Sequence, residues 1–589
     1  MPTVNIASHL KEMAMRCPEQ MAVHCPVSRH PARRSVYLSY DYQRLDQESD
    51  FLAAGLDAVG IGRGVKTVLM VPPSIEFFTL TFALFKAGAI PVLVDPGMGI
   101  NNLGRCLAEA EPEAFIGITK AHFARVLLGW GSRTIKRLVT VGRRWGWGGQ
   151  QLKAVAEIGK SRQQKSAPSG DIWSAADVQE DETAAILFTS GSTGVPKGAV
   201  YSHGNFTAQV AALQHAFGIE PGEIDLCTFP LFALFAPALG MTAVVPRMDF
   251  TKPAKVDPRE IDDPIQQFGI SNLFGSPALL NRVGREFVTI EPATEEPTTA
   301  ESGATMINEK GPWTTLKRVL SAGAPVSPVI LERFSQLLPA GAQIFTPYGA
   351  TESLPVAVIG SHEILEETRF LTAEGAGTCV GRPVAEIDVR VIEITDDPIP
   401  TWHDDLELPL GEIGEIVVAG PMVTQEYYRR PDLTALAKIH DPESGRYRHR
   451  MGDVGYFDDQ GRLWFCGRKS HRVVTEEGTM FTEPVEGVFN TCPGVFRTAL
   501  VGVQRGQQME PVLCVEMERP ERDRQQHLVP DQAELTSALL ELGSQFEHTR
   551  SIKTILFHAA FPVDIRHNSK IFREKLAVWA TRQVAGRAN

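Results

Sequence analysis

The segment Leu187 to Gly198, LFTSGSTGVPKG, has the composition of a loop that binds phosphate groups. A bound triphosphate requires converging backbone N–H groups, hydroxyls that supplement them and a lysine that offsets negative charge. Residues 189–194 are an unbroken run of hydroxyl residues and glycines, which allows the backbone to approach a ligand closely. The candidate phosphate-binding residues are Thr189, Ser190, Gly191, Ser192, Thr193, Gly194 and Lys197.

This segment differs from the loop of P-loop nucleotide hydrolases. That loop requires glycine at the position of Pro196, serine or threonine at the position of Gly198, and a helix directly afterwards. Ala199 to His203 instead predicts extended backbone, and Ala184 to Phe188 predicts a strand before the loop. A Gly/Ser-rich linker, the other alternative, usually lacks the apolar strand and the Pro-Lys-Gly ending.

Three further motifs suit other parts of a nucleotide, although each alone is compatible with an ordinary turn or a solvated charge. Ser321, Gly323, Ala324 and Pro325 are small or compact residues that would let a flat base lie against the backbone. Tyr348, Gly349, Ala350, Thr351 and Glu352 offer a ring for a purine, a hydroxyl for phosphate and a carboxylate. Mg²⁺ typically takes one or two carboxylates plus phosphate oxygens and waters. The carboxylate of Asp453 can accept hydrogen bonds from two ribose hydroxyls.

Strands and helices alternate around these motifs. Buried strands are predicted at 66–71, 89–95, 113–118, 138–141 and 184–188, and Ser74 to Gly88 predicts a helix with a serine cap and a glycine stop. The pattern resumes at 271–276, 316–321 and 343–346, and short, partly alternating strands follow at 411–419, 461–466 and 498–502. Such alternation predicts an α/β fold with largely parallel, helix-covered sheets.

Length and composition limit the other possibilities. A chain of 589 residues is too long for one core, and 43% hydrophobic residues exclude disorder as the main state. The net charge of −12 gives no basic footprint for nucleic acid. Eight cysteines without a CxxC pair predict free thiols, and the N-terminus has no apolar secretory signal. Leu226 to Pro246 has no charge, but its prolines and glycine favour a buried core segment over a membrane helix.

Two segments lack periodicity and predict loops. Arg143 to Gln179 is rich in Gly, Trp, Ser and Gln, and Glu286 to Pro312 carries acidic residues, Thr, Pro and Gly. The second is expected to be a surface insertion, at about 286–312.

The order of these motifs resembles the adenylate-forming superfamily, which includes acyl-CoA synthetases, luciferases and nonribosomal adenylation domains. The resemblance implies ATP and Mg²⁺, a large N-terminal domain at 1–468 and a small, hinged, mobile α+β domain at 469–589. It implies that Glu352 binds Mg²⁺, Thr351 and Arg468 contact phosphate, Asp453 binds the ribose, and Ser321 to Pro325 lie beside adenine. It also implies that Lys570 moves onto the α-phosphate during adenylation, with Lys570, Thr351 and Glu352 as catalytic residues.

Three residues depart from the pattern of CoA ligases within this superfamily. Ser470 stands where Asp or Lys is usual at the hinge, Glu477 where a glycine lets pantetheine pass, and Ser569 where glycine is typical. A carboxylate beside an anionic cofactor is unfavourable. These departures favour an adenylate attacked by a group of the substrate itself.

A narrower resemblance is to the β-lactone synthetases of bacterial long-chain olefin biosynthesis. It rests on Lys86 to Gly88, Asp95 to Gly99, Phe232 to Gly240, Phe274 to Pro277 and the ending DIRHNSKIFREKL. It implies adenylation of a 2-alkyl-3-hydroxy fatty acid, followed by attack of the substrate's own hydroxyl, for which orientation replaces a second binding site.

The apolar stretch Phe229 to Met241 would suit two long alkyl chains, with Phe232, Phe235 and Gly240 as pocket residues, although a buried core explains it equally well. A base for the hydroxyl is not assignable; His203, His471 and His567 are candidates, each also compatible with a structural role.

Two other functions remain open at this stage. One is a long-chain fatty acyl-CoA synthetase or acyl-carrier-protein ligase, and the other is a non-catalytic nucleotide-binding or scaffold protein. Lys197, Glu352, Asp453 and Lys570 argue against the second. We expect a cytoplasmic enzyme with a small-molecule substrate, no nucleic acid and no transmembrane segment. The resemblance further implies association with other enzymes of olefin biosynthesis.

Overall fold

The computed structural model of the protein describes residues 4–28, 35–166, 175–189, 196–229, 235–289, 306–307, 313–518, 531–563 and 571–587. The strands of the N-terminal half are β1 Met21–Ser28, β2 Val36–Asp41, β3 Lys66–Met70, β4 Ile90–Val94, β5 Ala114–Ile118, β6 Arg137–Val141, β7 Gln150–Gln151, β8 Thr183–Thr189, β9 Lys197–Ser202, β10 Ile224–Cys227, β11 Thr242–Val244, β12 Asn272–Phe274, β13 Val288–Thr289, β14 Met306–Ile307 and β15 Arg318–Leu320. Those that follow are β16 Gln343–Ala350, β17 Ser353–Gly360, β18 Thr378–Pro383, β19 Asp388–Ile392, β20 Gly414–Ala419, β21 Lys438–His440, β22 Tyr447–Phe457, β23 Leu463–Arg468, β24 Val473–Thr475, β25 Gly478–Met480, β26 Val495–Arg505, β27 Gln508–Met517 and β28 Thr554–Phe557.

The helices of the same ranges are α1 Ser8–Arg16, α2 Tyr42–Ala58, α3 Ile75–Lys86, α4 Ile100–Ala110, α5 Thr119–Leu128, α6 Leu152–Ser166, α7 His203–Phe217, α8 Phe235–Ala238, α9 Arg259–Phe268, α10 Pro277–Phe287, α11 Pro328–Ser335, α12 Ser361–Glu363, α13 Arg369–Ala373, α14 Pro431–Ala437, α15 Thr482–Phe489, α16 Gln532–Ser544 and α17 Arg573–Arg587. A π-turn at Ile364–Thr368 joins α12 to α13, and short 3₁₀ turns occur at Pro96–Met98, Pro253–Lys255, Asp404–Leu406 and Lys469–His471.

A seven-stranded sheet carries the first set of predicted strands. Its order is β7-β6-β5-β3-β4-β8-β9, and every pair is parallel except β8 with β9. The side chain of Ser74 accepts a hydrogen bond from the Phe77 N–H and caps α3, as predicted. Apart from Glu76, every residue of α3 is buried, so this helix lies inside the core between the sheets. The predicted α/β alternation is therefore confirmed here.

A longer, mixed sheet carries the second set. Its order is β19-β20-β22-β23-β18-β17-β16-β15-β12-β10-β11-β1-β2, and β21 pairs with β22. In this spatial order, the neighbouring strands β16, β15, β12, β10 and β11 pair in parallel. On the other side of β16, the neighbours β17, β18, β23, β22, β20 and β19 are joined by antiparallel pairs. The carboxyl ends of β15 and β16 therefore lie side by side, which brings two of the nucleotide motifs together.

The C-terminal residues form a smaller unit with its own core. The sheet β26-β27-β28 is covered by α15, α16 and α17. Its buried apolar residues include Phe489, Leu500, Leu513, Leu539 and Leu576. A core of this kind is what the predicted α+β unit after residue 468 requires, while the division into domains stays a prediction.

One prediction about a loop is wrong. Arg143 to Gln179 was expected to lack regular structure, yet it contains β7 and the 15-residue helix α6. Helix α6 packs against α2 at two glycines. A Cβ atom on Gly55 would lie 2.0 Å from the carbonyl oxygen of Val155, and one on Gly159 would lie 1.8 Å from that of Phe51. The low apolar content of α6 concealed the helix, because its packing depends on these glycines as well as on large side chains.

The uncharged stretch Leu226 to Pro246 forms parts of β10, α8 and β11 where the structure describes it. Among the described residues, no helix is both long enough and apolar enough to cross a membrane. All eight cysteines lie in described ranges and are free thiols, as predicted.

The contact between α2 and α6 gives a stability prediction. In Gly159→Ala the added methyl group would overlap the backbone of α2, so the two helices must separate and the core must repack. We expect the thermal unfolding midpoint to fall by at least about 2 °C, measured by differential scanning fluorimetry. Gly586→Ala is the matched control, because nothing lies within 4 Å of its Cβ position in α17, and its midpoint should stay unchanged or rise. Equal midpoints for the two variants would contradict the tight α2–α6 contact.

Candidate functional site

The predicted phosphate loop connects the two strands of a hairpin. Strands β8 and β9 pair in antiparallel register, and Thr189 pairs with Lys197 at the open end. The predicted binding residues Ser190, Gly191, Ser192, Thr193 and Gly194 lie outside the described residues. Strand β9 is extended, as predicted, and the helix α7 begins only at His203 behind the Ser202 capping box. The order strand–loop–strand excludes the P-loop architecture at this position.

A second chain segment pairs with β9 and fixes the position of Lys197. The Tyr428 N–H donates to the Gly198 carbonyl at 2.7 Å, and the Val200 N–H donates to the Glu426 carbonyl at 3.2 Å. The Nζ atom of Lys197 lies 5.0 Å from the centre of the Tyr427 ring. The hairpin is therefore held against the loop between β20 and α14.

The carboxylate of Glu352 lies beside this lysine. The Tyr427 hydroxyl donates to Glu352 Oε1 at 2.5 Å, and the Tyr201 hydroxyl donates to the Thr351 carbonyl. Glu352 is 9% exposed. Burial lowers the pKa of Lys197, and the nearby Glu352 carboxylate partly offsets that effect. A half-buried cation and a buried carboxylate beside a hairpin loop can hold a phosphate and its metal ion.

The two predicted base-binding motifs lie at the ends of the adjacent strands β15 and β16. Ser321 follows β15, and its N–H donates to the Phe345 carbonyl of β16 at 2.9 Å. The Ser321 hydroxyl is buried without a hydrogen-bond partner among the described residues, which suits a ligand atom at this point. Gly323 has a φ of +96°, which favours glycine in the turn that also contains Ala324 and Pro325.

Asp453 is held by two neighbours. The Tyr348 hydroxyl donates to Asp453 Oδ2 at 2.7 Å, and Arg468 Nη1 lies 2.8 Å from Asp453 Oδ1. Asp453 and Arg468 are direct cross-strand partners in β22 and β23. Burial and the Asp453 charge raise the pKa of Tyr348 well above its ordinary value. A carboxylate has about four acceptor positions, so Asp453 keeps capacity for ribose hydroxyls.

Gly349 and Ala350, between Tyr348 and Glu352, form the end of β16. A Cβ atom on Gly349 would lie 2.6 Å from the Ser353 carbonyl oxygen, so this tight turn requires glycine. The turn is what brings Tyr348 and Glu352 to the same edge of the sheet.

Sequence reasoning missed a buried lysine behind this site. Lys438 donates to the carbonyl of Thr424 and, at 3.3 Å, to its hydroxyl, and the Thr424 N–H donates to the Glu352 carbonyl at 2.9 Å. Burial lowers the pKa of Lys438 to about 7, although Glu352 raises it. No carboxylate lies within 4.0 Å of its Nζ atom among the described residues. The sequence around it, ALAKIH, gives no signal of burial.

Lys438 and Tyr427 also line a cavity of about 410 Å³ whose wall includes Arg430 and Tyr447. The imidazole of His449 lies beside them: its Nδ1 atom is 3.1 Å from the Ala437 carbonyl, and burial lowers its pKa well below the ordinary value. Lys197 and Lys438 both lie close enough to Glu352 for its charge to raise their pKa values against the effect of burial, while burial keeps His449 neutral.

The C-terminal unit contacts this region through polar side chains. The Thr378 hydroxyl donates to Glu483 at 2.9 Å, and burial, together with the neighbouring Glu486, raises the pKa of Glu483 to about 7. Lys469 Nζ lies 3.1 Å from Glu415. Ser470 lies in the 3₁₀ turn of Lys469–His471. Glu477 and Gly478 are exposed in the β24–β25 hairpin.

The candidate bases have structural partners. The Ile6 N–H donates to His203 Nδ1 at 3.5 Å, and burial lowers the pKa of His203 to about 4. His471 Nε2 lies 3.2 Å from Glu574, and burial lowers its pKa to about 4 as well. His567, like the predicted catalytic Lys570, lies outside the described residues.

The predicted alkyl pocket is described in part. Phe232 lies outside the described residues, and Phe235 is half-buried with its ring 5.9 Å from that of Phe206. Gly240 has a φ of +81° in the turn after α8, where a Cβ atom would lie 2.9 Å from Pro221. The structure thus places Gly240 in a packed turn.

The lysine at 438 gives a prediction on pH dependence. Its pKa is about 7 in the fold and 10.5 ordinarily, so the unfolded chain binds more protons between those values and stability rises with pH across them. The destabilisation is full below about pH 7 and is lost toward about pH 10. In Lys438→Met, the change in unfolding midpoint (variant minus wild type) should therefore fall as pH rises through this window.

Scanning fluorimetry at several pH values measures the difference in unfolding midpoint between variant and wild type. The lost hydrogen bonds to Thr424 add a constant offset, which does not affect how this difference varies with pH. Lys553→Met, at an exposed lysine, is the control and should give a difference independent of pH. The same flat profile for Lys438→Met would show that this lysine is not destabilised by burial.

Residues 11–428 match the family model described as AMP-binding enzyme. The chain is 51% identical over 589 residues to the olefin beta-lactone synthetase of Stenotrophomonas maltophilia, covering 99% of each chain. It is 49% identical to the olefin beta-lactone synthetase of Xanthomonas campestris pv. campestris, covering 98% of each. A long-chain-fatty-acid–CoA ligase of Escherichia coli is 24% identical, with 80% of each chain covered.

Solved structures share the fold at lower identity. The amide bond synthetase McbA from Marinactinospora thermotolerans superposes with a TM-score of 0.74 at 21% identity, covering 98% of this chain and 100% of that one. The o-succinylbenzoate coenzyme A synthetase MenE from Bacillus subtilis, solved with ATP and a magnesium ion, gives 0.67 at 18% identity, covering 96% and 98%.

Proposed function

We propose that this chain, which belongs to the AMP-binding enzyme family and within it to the olefin beta-lactone synthetases, is an ATP-dependent ligase that converts a long-chain 2-alkyl-3-hydroxyalkanoic acid to a β-lactone. The observation that carries the proposal is the 51% identity over 99% of the chain. The cluster around Glu352 supports it, because this cluster has the donors and the carboxylate that adenylation needs.

The first half-reaction uses ATP as a substrate. A carboxylate oxygen of the acid attacks the α-phosphorus, and pyrophosphate leaves. The hairpin loop and Lys197 are proposed to hold the phosphates of ATP. Ser321 to Pro325 and Tyr348 are proposed to hold the base, and Asp453 the ribose. Arg468 is proposed to contact a phosphate of ATP after its ion pair with Asp453 breaks. This chemistry asks little of the protein beyond positioning and charge stabilisation.

Glu352 is the proposed ligand of Mg²⁺, which supplies charge neutralisation on the phosphates when bound. The carboxylate fits this role, because within the described ranges its only side-chain hydrogen bond is that from Tyr427, which leaves acceptor positions open. Tyr427 orients the carboxylate, and the Thr424 N–H holds its backbone.

The second half-reaction is intramolecular. The oxygen of the substrate's 3-hydroxyl bonds to the activated acyl carbon, the acyl–phosphate oxygen bond breaks, AMP leaves and the hydroxyl proton passes to a base. Because the nucleophile is tethered, the enzyme needs to orient it and exclude water. The histidines with partners already assigned, His203 and His471, have pKa values of about 4. Their lowered pKa values make both histidines weak bases.

We further propose the division into 1–468 and 469–589, with the hinge at Ser470 and Lys570 delivered by the second domain. The insertion at about 286–312 belongs to the first domain. The polar character of the contacts between Glu483, Thr378, Lys469 and Glu415 supports relative motion, because polar interfaces between domains are typical of mobile pairs. Cytoplasmic location and association with other olefin-forming enzymes are part of the same proposal.

A second candidate function is a long-chain acyl-CoA synthetase or a carrier-protein ligase, which the 24% identical ligase of Escherichia coli favours. Product analysis separates the two. The protein is incubated with ATP, Mg²⁺ and a long-chain 2-alkyl-3-hydroxy acid, with and without CoA, and products are identified by mass spectrometry. We expect the lactone and AMP without CoA; an acyl thioester that forms only with CoA would overturn the proposal.

The role of Lys570 gives a residue-level prediction. Lys570→Ala removes the cation proposed to stabilise charge at the α-phosphate, so adenylate formation should fall by about 100-fold or more while ATP binding persists. Exchange of labelled pyrophosphate into ATP measures adenylate formation, and calorimetric titration measures ATP binding. Lys575→Ala, at an exposed lysine of α17, is the control. Unchanged exchange in Lys570→Ala would remove the proposed role.

A further inference from the structure

One surface of the seven-stranded sheet differs in charge from the rest of the chain. Residues 119–149 contain seven lysines and arginines and no aspartate or glutamate, although the whole chain carries a net charge of −12. Five of these cations are exposed and have no carboxylate partner among the described residues: Lys120, Arg133, Lys136, Arg143 and Arg144. A sequence of this length with only positive charge indicates an anionic partner.

The same surface exposes large apolar side chains. Helix α5 buries His122 and turns Phe123, Val126 and Leu127 outward, at 50%, 56% and 86% exposure. The ring of Phe123 lies 6.0 Å from that of Trp145, which is 52% exposed in the loop after β6. These residues form a contiguous apolar patch beside the cations, which we call the α5 patch.

The loop after β6 is built onto α5. The Thr119 hydroxyl donates to the Arg143 carbonyl at 2.7 Å, and the guanidinium of Arg143 lies 5.0 Å from the centre of the Trp145 ring. The ring of Trp147 stacks on that of His122 at 5.2 Å. The aromatic and cationic side chains are therefore presented together as one face.

We infer that the α5 patch docks the enzyme on the surface of an anionic lipid bilayer. A leucine and a phenylalanine on one helix face, a tryptophan at the boundary, and arginines that have no carboxylate partner within the described ranges together have the chemistry of an interfacial anchor. Charge complementarity favours this occupant, because anionic headgroups attract the cations while acyl chains bury the apolar side chains.

The loop after β6, which carries Trp145 of the α5 patch, lies at the same edge of the sheet as the loop of the β8–β9 hairpin. Strands β6 and β8 are parallel members of the order β6-β5-β3-β4-β8, so the loops after them leave at the same carboxyl edge. Four strand spacings separate them by about 19 Å. If the substrate is the long-chain acid of the proposed function, on which this step alone rests, docking lets the enzyme take it from the bilayer.

Vesicle co-sedimentation tests the inference. We expect the full-length protein to sediment with vesicles of phosphatidylcholine and phosphatidylglycerol and not with phosphatidylcholine alone, and binding should weaken at about 0.5 M salt. Phe123→Ser with Leu127→Ser, and separately Arg143→Glu with Arg144→Glu, should each weaken binding by about tenfold or more. Leu410→Ser and Lys553→Glu change exposed residues elsewhere and should bind like the wild type.

Absent binding, equal binding to neutral and anionic vesicles, or α5 patch variants that bind like the controls would each overturn the inference. Thermal unfolding midpoints equal to that of the wild type verify that the exposed substitutions preserve the fold. Lactone formation from acid dispersed in detergent is measured in parallel. We expect the α5 patch variants to lose vesicle binding and to keep lactone formation. If the wild-type protein binds vesicles but forms no lactone, only the proposed function is refuted.

Discussion

The position of the Glu352 carboxylate is the constraint on which the candidate site depends. It lies in a turn between β16 and β17, and the Tyr427 hydroxyl holds its side chain at 2.5 Å from a loop more than seventy residues further along the chain. That loop also pairs with β9, which carries Lys197. The two sheets, the turn and the phosphate hairpin are therefore connected through hydrogen bonds around one buried carboxylate.

The charges around this carboxylate are unbalanced in a way that suits a polyphosphate. Lys197 and Lys438 both lose hydration on burial, and Glu352 offsets that cost for each. Arg468 is already neutralised by Asp453. An incoming anion would stabilise the protonated forms of both lysines, so substrate binding and protonation are coupled at this point.

Polar contacts join the C-terminal unit to this assembly, while its own apolar core is separate. A carboxyl group with a raised pKa, that of Glu483, lies at the contact with β18. Such a contact can be exchanged for water at low cost, unlike an apolar one. The basic, apolar α5 patch lies near the opposite end of the seven-stranded sheet order from β9.

The strand and helix alternation and the order of the nucleotide motifs could be predicted from the amino-acid sequence, because these depend on local periodicity and on residue types in short loops. The serine cap of α3, the parallel strands and the strand–loop–strand hairpin followed from such local signals. Three other features became visible only in the folded chain: Lys438 is buried near Glu352, Tyr348 and Arg468 share Asp453, and α6 is a helix that packs through glycines. Each of these depends on contacts between residues far apart in the chain, whose burial and partners no local pattern encodes.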